Sequence, residues 1–131
     1  MSERGEPADE AEAGLAIRRQ VMGEEYVEAA LAAATEFTAP LQDFIARHAW
    51  GAVWTRPGLD RRVRSCITLA VLTTLRAHDE LAAHVRAALR NGLTADEIAE
   101  VLLHTAVYAG VPAANSAFAV ARKAIEEHPP D

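Results

Sequence analysis

The sequence predicts an all-α protein, and three of its features support that prediction. Half of the residues are hydrophobic although only 5% are aromatic, because Ala, which has the highest helix propensity, is by far the commonest residue. Apolar side chains recur at intervals of three and four along most of the chain, which is the spacing of one helix face. With 7 Gly, 6 Pro and few β-branched runs, the chain lacks the turns and strands of a β-sandwich. Its 131 residues are enough for a single helical domain.

The first half of the chain is predicted to hold a tail and three helices. Residues 1–12 are expected to form a disordered acidic tail, because after Met1 they contain no large apolar side chain to bury. The folded domain is expected over residues 13–128. Apolar spacing predicts helices at 13–22, 24–34 and 38–49, the first two separated by Gly23.

Residues 50–59 are predicted to form a loop that carries both tryptophans, Trp50 and Trp54. Gly51 and the Pro57-Gly58 pair interrupt the helical pattern there. Two tryptophans in a loop indicate either a structural cover, folded onto the protein body or a neighbouring subunit, or the wall of a pocket. The residues alone leave both interpretations open.

Four longer helices follow and bring the total to about seven: 61–76, 80–90, 95–109 and 113–127. Asp60 is expected to cap the first of these, and a capping box from Thr94 to Glu97 to open the third. In the helix at 61–76 the inward positions are predicted to be Val63, Ile67, Ala70, Val71 and Thr74, although its other faces are nearly as apolar. A small monomer cannot cover helices this apolar on every side, so a symmetric homo-oligomer is expected.

Charge and motif content exclude several classes of function. With 13 basic and 19 acidic residues the net charge is −6, so the chain lacks the basic field that nucleic-acid binding requires. No apolar stretch is long enough to span a membrane, and no signal sequence is recognised. The single cysteine, Cys66, excludes an intramolecular disulfide and a Cys-x-x-Cys motif, and fits a cytoplasmic location. No metal site, Gly-rich phosphate loop or Gly-x-Ser-x-Gly elbow is found.

Glu80 and His84 are candidates for catalysis. They lie four positions apart on one predicted helix, so their side chains share a face. A carboxylate beside an imidazole orients the ring and raises its pKa, which gives a proton donor or acceptor near neutral pH. The same spacing also arises by chance on solvated helix faces, so a purely structural interpretation is open as well.

A second polar stripe is predicted on the helix at 95–109. It contains His104 and Tyr108, preceded by Glu100, which is expected to face solvent. Asn115 follows shortly after, where a helix N-terminus and a side-chain amide suit an anionic ligand. An Asn at this point also suits the start of a helix, and that alternative is open.

Three arginines, Arg61, Arg62 and Arg64, crowd the first turn of their predicted helix. The helix dipole disfavours positive charge there, so a negative partner is expected. Asp60, an acidic residue of another subunit or a dicarboxylate substrate would each serve. Solvation of the arginines is the remaining interpretation.

Several long runs between Arg18 and Glu126 carry a family resemblance: Trp50-Gly-Ala-Val-Trp-Thr-Arg-Pro-Gly-Leu-Asp-Arg-Arg, Glu80-Leu-Ala-Ala-His84-Val-Arg-Ala-Ala-Leu, Asn91-Gly-Leu-Thr with Glu97-Ile-Ala-Glu-Val-Leu-Leu-His104, and Tyr108-Ala-Gly-Val-Pro-Ala-Ala-Asn115. With these runs the chain resembles the carboxymuconolactone decarboxylase family. The resemblance implies an all-helical fold in a homo-oligomer, commonly a hexameric ring. It also implies a step of protocatechuate breakdown in the β-ketoadipate pathway of aromatic hydrocarbon catabolism. In that step 4-carboxymuconolactone loses CO2 without a cofactor and gives 3-oxoadipate enol-lactone.

The related alkylhydroperoxidase D branch carries Cys-x-x-Cys-x-x-x-His and an upstream Glu. In this chain the matching stretch runs from Ala77 to His84 and keeps only the His, while Ser65 falls at the position of the Glu. A thiol peroxidase role is therefore not expected.

The resemblance also implies roles for the candidate residues. His84, held by Glu80, is expected to donate the proton; the alternative is that a protonated Glu80 does so while His84 stabilises charge. The Trp54 loop, Tyr108 and His104 are expected to shape the pocket, with Arg62 or Arg64 on a substrate carboxylate. The rival interpretations are a related lactone as substrate and a helical oligomer that has lost catalysis.

Overall fold

The computed structural model describes residues 7–128, with side chains from residue 10 onward. Seven α-helices and one π-helical segment lie within this range, which contains no strand, so the predicted all-α class is confirmed. The chain divides into two compact units, Met1–Leu59 and Asp60–Asp131. The domain predicted over residues 13–128 spans both of them. No helix in the described range is long and apolar enough to cross a membrane.

The N-terminal unit contains α1 (Pro7–Met22), α2 (Glu24–Ala32) and α3 (Ala39–Phe44), and α3 continues into a π-helical segment (Ile45–Trp50). Helix α1 begins at Pro7, so residues 7–12 are helical where the sequence predicted a tail. Proline suits a first helical turn, and Ala and Glu favour a helix without any large apolar side chain. Residues 1–6 of the predicted tail lie outside the described residues.

The π-helical segment packs against α1 through backbone contacts. Its hydrogen bonds span five residues instead of four, from the Gly51 N–H to the Ala46 carbonyl (2.8 Å) and from the Trp54 N–H to the Ala49 carbonyl (3.0 Å). A Cβ added at Gly14 of α1 would lie 1.8 Å from the Ala46 carbonyl oxygen, so only glycine allows this approach. Packing of backbone on backbone explains how a helix with few large side chains is held here.

The two tryptophans stack on each other. Trp50 is the last residue of the π-helical segment and is buried, and its ring centroid lies 4.9 Å from that of the half-buried Trp54. The loop predicted at residues 50–59 therefore begins one residue later, and Trp50 is part of the core of its unit. Trp54 is placed by this ring contact.

The C-terminal unit consists of α4 (Arg61–Leu75), α5 (His78–Arg90), α6 (Ala95–Ala109) and α7 (Val111–Glu127). Each helix begins and ends within two residues of its predicted bounds. Asp60 caps α4 by accepting the Val63 N–H (2.9 Å), and the Thr94–Glu97 capping box opens α6, as predicted. Large side chains from three helices fill the centre of the core, and alanines of α7 close it: Leu69, Leu81, Val85, Ile98, Leu102, Ala117, Ala121 and Ala124.

The prediction for the buried face of α4 is wrong. Ser65, Leu69 and Thr73 face the core, whereas the side chains predicted to face inward are exposed or half-buried: Val63, Ile67, Ala70, Val71 and Thr74. Because α4 is apolar on nearly every side, its periodicity does not identify the face that α5, α6 and α7 cover. The exposed stripe leaves α4 with an apolar surface directed to solvent.

Candidate active site

Helix α5 positions the two residues predicted to carry catalysis. Two faces of this helix are buried. Leu81 and Val85 lie on one of them, and Ala83 and Ala87 lie on the other. His84 lies between these two buried faces and is half-buried, whereas Glu80 lies in the first turn of the helix and is exposed. The His84 side chain therefore retains part of its accessible surface between two buried faces of its helix.

The structure does not join these two side chains. Within residues 7–128, no hydrogen bond or ion pair connects the Glu80 carboxylate to the His84 imidazole, although both lie on the same helix face. Glu80 instead contributes, with Asp79, negative charge at the N-terminus of α5, which stabilises the helix dipole. Support of His84 by Glu80 stays a prediction.

Arg62 is engaged by protein groups. Its Nη2 donates to Glu97 Oε2 (2.7 Å) and its Nη1 donates to the Gly92 carbonyl. Glu97 is also the capping-box residue of α6, because its Oε1 accepts the Thr94 N–H (2.9 Å). Arg62 thus fastens the start of α4 to the start of α6, a structural role that the sequence did not predict. The negative partner of Arg62 is Glu97, which lies 35 positions away on another helix. The spacing of side chains along one helix could not predict such a pair.

This cluster predicts an acid-sensitive contribution to stability. The hydrogen bond from the Thr94 backbone, and then that from Arg62, lower the pKa of Glu97 below its ordinary value of 4.5. Ionised Glu97 therefore stabilises the fold at pH values above its ordinary pKa of 4.5. This contribution to stability disappears as the pH falls through the lowered pKa. We expect Glu97→Gln to lower the melting temperature at neutral pH and to flatten its decline below about pH 4.5.

Thermal unfolding followed across that pH range measures both effects. Glu126→Gln is the matched control, because Glu126 lies in an exposed ion pair with Arg122 of its own helix (3.1 Å). Equal pH dependence in the Glu97→Gln variant and the unsubstituted chain would contradict the structural role of the cluster.

Arg64 is half-buried in the first turn of α4, and the Thr68 hydroxyl donates to its carbonyl (2.9 Å). Ser65, at the position where the redox branch has its Glu, is 2% exposed, and its Oγ makes no hydrogen bond within the described residues. At this position α4 therefore presents a buried hydroxyl group to the core.

His104 and Tyr108 lie on α6 with their ring centroids 5.4 Å apart. Both are exposed, and Tyr108 retains 80% of its accessible surface. His104 borders a shallow groove of about 650 Å³ between α4 and α6, together with Cys66, Ile67, Glu100 and Val107. The second polar stripe predicted from the sequence is thus present, next to an apolar groove.

Asn115 borders a different groove. This groove lies between α6 and α7, has a volume of about 530 Å³, and is lined mainly by apolar side chains such as Ile98 and Phe118. Asn115 is exposed in the second turn of α7, whose N-cap is Gly110, so it does not start the helix. The lining of the α4–α6 groove does not include Asn115.

Arg18, in the N-terminal unit, is a buried cation that was not predicted from the sequence. Arg18 is 7% exposed, donates from Nη1 to Gln42 Oε1 (3.2 Å), and lies 6.0 Å from the centre of the Tyr26 ring. A signal was available, because Arg18 is four residues after Gly14 and three before Val21, on the face that α1 buries. No group of three or more His, Cys, Asp or Glu side chains suited to a metal occurs in the described part of the chain.

Comparison with known proteins places these helices in a family. The sequence profile of the Carboxymuconolactone decarboxylase family matches residues 39–123. A 4-carboxymuconolactone decarboxylase of Acinetobacter baylyi is 46% identical over 87% of this chain and 85% of its own length. Nitrosuccinic acid decarboxylase npaB of Metarhizium robertsii is 48% identical over 87% of this chain and 80% of its own length. The matched residues include α5, which carries Glu80 and His84, and the chain belongs to the carboxymuconolactone decarboxylase family.

Proposed function

We propose that the chain removes CO2 from 4-carboxymuconolactone and gives 3-oxoadipate enol-lactone, a step of protocatechuate breakdown in the β-ketoadipate pathway. The chain is an enzyme of the carboxy-lyase class, as are its two decarboxylase relatives. The observation that carries the proposal is the 46% identity, over 87% of the chain, to a protein named for this reaction.

The chemistry requires an electron sink and an acid. The bond between the γ-carbon of the lactone ring and its carboxylate breaks, and CO2 leaves. The electron pair moves through the ring double bond to the lactone carbonyl, which becomes an enolate oxygen. A proton is then added at the α-carbon, and the carbonyl is restored. The protein supplies a water-poor site, hydrogen-bond donors near the developing oxyanion, and one acid.

His84 is the proton donor in this proposal. It is half-buried and lies between two buried faces of α5. Glu80 lies one turn earlier on the same face, and its carboxylate is expected to approach the imidazole when substrate excludes water. The alternative, a protonated Glu80 as acid, fits less well because Glu80 is exposed and burial is what keeps a carboxyl protonated near neutral pH.

Substrate carboxylates need a cationic partner, and we propose Arg64 because it lies half-buried in the first turn of α4, where the resemblance places an arginine on a substrate carboxylate. Arg62 is used by Glu97 and Gly92, so we assign it to the support of the site. His104 and Tyr108 keep their proposed roles as residues that bind or enclose the substrate, and the roles expected of Trp54 and Asn115 stay predictions. Each of these assignments is open to substitution and measurement of KM.

A second candidate substrate is nitrosuccinate, because the Metarhizium robertsii relative is as similar to this chain as the Acinetobacter baylyi one. Nitrosuccinic acid loses CO2 from the carbon that carries its nitro group, and the nitro group takes the electron pair. In both acids the carbon that loses CO2 also bears a CH2–COO⁻ arm. One site can therefore bind the same CH2–COO⁻ arm of either substrate. The two substrates differ in the group that takes up the electron pair, which is the lactone carbonyl in one and the nitro group in the other.

The direct test is to incubate the purified chain with 4-carboxymuconolactone and to identify the product by mass. We expect the lactone to disappear together with the release of one CO2 per molecule, and the enol-lactone to form. Failure of the chain to decarboxylate the lactone would rule it out as the substrate. The family assignment would survive that result.

A thiol-dependent activity is the rival that the chain itself argues against. Burial raises the pKa of Cys66 above its ordinary value of 9.0, so little reactive thiolate is present near neutral pH. We expect Cys66→Ser to keep the decarboxylase activity of the unsubstituted chain, since the thiol has no part in the reaction. Peroxide reduction that disappears in this variant would overturn the expectation.

We also propose a homo-oligomer, with a hexameric ring as the form that the family resemblance implies. The N-terminal unit exposes Phe37, Leu41 and Phe44, and the C-terminal unit exposes further apolar side chains, so two surfaces are available for the two kinds of contact that a ring of dimers needs. The cytoplasmic location expected from the sequence stays a prediction.

A further inference from the structure

Arg18, on α1, carries a positive charge in the interior of the N-terminal unit, where 7% of its surface is exposed. A guanidinium group does not lose its proton in proteins, so burial cannot convert Arg18 to a neutral form. Removal of a charge from water is costly unless an opposite charge and hydrogen bonds take the place of the water. A buried arginine is therefore expected to have an anionic partner.

The described side chains provide Arg18 with neutral partners and with no carboxylate. Its hydrogen bond runs from Nη1 to the amide oxygen of Gln42 (3.2 Å), and its other contact is the Tyr26 ring, whose centre lies 6.0 Å from the guanidinium carbon. An amide and an aromatic ring both stabilise a cation, but neither carries a negative charge. Within residues 10–128, the charge of Arg18 is therefore uncompensated.

Two more exposed arginines of the same unit do have carboxylate partners. Arg19 pairs with Glu28 (2.6 Å) and Arg47 pairs with Asp43 (2.7 Å), and the two arginine side chains are 31% and 22% exposed. Burial of an unpaired charge costs more than exposure of one, so a purely structural network would be expected to give a carboxylate to Arg18 first. The absence of such a partner among the described residues indicates that the anion is a bound ligand.

The part of the guanidinium that is left for a ligand is the edge formed by Nε and Nη2. Nε is buried and makes no hydrogen bond within the described residues, and no partner there joins Nη2 either. The N–H bonds of these two nitrogens are parallel, which is the geometry that binds both oxygens of one carboxylate. Tyr26, which contacts the guanidinium, is 40% exposed, so this edge lies close beneath the protein surface.

The charge of the site favours a carboxylate over a phosphate. Arg19, the next residue, is already neutralised by Glu28, so Arg18 contributes a single uncompensated positive charge. A carboxylate brings one negative charge and two acceptor oxygens to the two free donors. A phosphate group carries nearly two negative charges at neutral pH and would be left with one of them unpaired.

We propose that the Nε–Nη2 edge of Arg18 is a binding site for the carboxylate group of a small organic acid. The inference rests on the proposed function only for the choice of probe, which is succinate. Succinate contains the CH2–COO⁻ arm of both candidate substrates but has no electron sink, so it binds without reacting. Binding is measured without turnover, and the inference and the proposed function can therefore fail separately.

The first test is calorimetric titration with succinate, at an ionic strength that sodium chloride keeps constant. The unsubstituted chain is expected to bind succinate, and Arg18→Met is expected not to bind it. Arg18→Lys keeps the charge but lacks the two parallel donors, so we expect it to bind about tenfold more weakly. Arg47→Met is the matched control, because it removes a positive charge from the same unit and is expected to leave the Kd unchanged.

Thermal unfolding distinguishes a binding role from a purely structural one. Without succinate, Arg18→Met is expected to melt at the temperature of the unsubstituted chain or higher, because it removes an uncompensated buried charge. Succinate at ten times its Kd is expected to raise the melting temperature of the unsubstituted chain by roughly 3–6 °C, and not that of Arg18→Met. A structural arginine gives the opposite pattern, with a lower melting temperature in Arg18→Met and no response to succinate.

The inference is overturned by an unsubstituted chain that does not bind succinate, or by equal Kd values for that chain and Arg18→Met. Inorganic phosphate that binds more tightly than succinate would also overturn it. Competitive inhibition of lactone decarboxylation by succinate would identify the bound group as a carboxylate of the substrate. Binding without inhibition would identify a separate organic acid, and the carboxylate site stands in both cases. Succinate binding by a chain that does not decarboxylate the lactone would remove the proposed function alone.

Discussion

Replacement of His84 by Ala is expected to lower kcat for decarboxylation of 4-carboxymuconolactone by about 10²- to 10⁴-fold, the usual contribution of a positioned acid or base. The variant removes the only candidate acid that is both half-buried and held by packed faces on two sides of its helix. Steady-state kinetics with the purified protein measure the effect, and KM is expected to change little because the ring is assigned to proton transfer.

Two variants on the same helix make this result specific. His78→Ala removes an exposed imidazole from the first turn of α5 and is expected to leave kcat unchanged. Glu80→Gln is expected to lower kcat less than His84→Ala, and to shift its pH profile, if the carboxylate supports the imidazole. Full activity in both His84→Ala and Glu80→Gln would exclude α5 from the reaction.

The largest effect on stability is expected at Gly14. A Cβ at this position would lie 1.8 Å from the Ala46 carbonyl oxygen and 2.9 Å from the Gly51 nitrogen, both backbone atoms that no side-chain rotation can move. Gly14→Ala must therefore separate α1 from the π-helical segment, at a cost of about 3 kcal/mol or more. Thermal unfolding measures the loss, and near-ultraviolet circular dichroism of the Trp50–Trp54 stack reports it locally.

Gly58 offers a matched control, because an added Cβ there meets no atom within 4 Å. Gly58→Ala is expected to leave the melting temperature unchanged or slightly raised, since it restricts only the unfolded chain. Equal melting temperatures for Gly14→Ala and the unsubstituted protein would show that α1 does not need its close backbone contact.

Local signals in the sequence predicted the helices well. Asp60 and the pair Thr94 and Glu97 mark helix starts through hydrogen bonds to neighbouring backbone, so a few consecutive residues contain the whole interaction. The resemblance to the carboxymuconolactone decarboxylase family, which rested on longer runs, is confirmed by the comparisons.

Interactions between distant residues were not predictable in the same way. The engagement of Arg62 depends on Gly92 and Glu97, which are 30 and 35 positions away, and the buried face of α4 depends on which of three helices covers Leu69. The π-helical segment was not predicted, because backbone hydrogen bonds that span five residues and those that span four are compatible with the same side chains. In the N-terminal unit, Arg18 was overlooked because a cation was not expected on an apolar face.

The most direct test of the proposed function is a comparison of kcat/KM for 4-carboxymuconolactone and for nitrosuccinate on the same preparation of the unsubstituted chain. We expect the lactone to be decarboxylated with the higher kcat/KM, and His84→Ala to lower both kcat/KM values together because one acid serves both reactions. Decarboxylation of nitrosuccinate with no turnover of the lactone would contradict the proposed function.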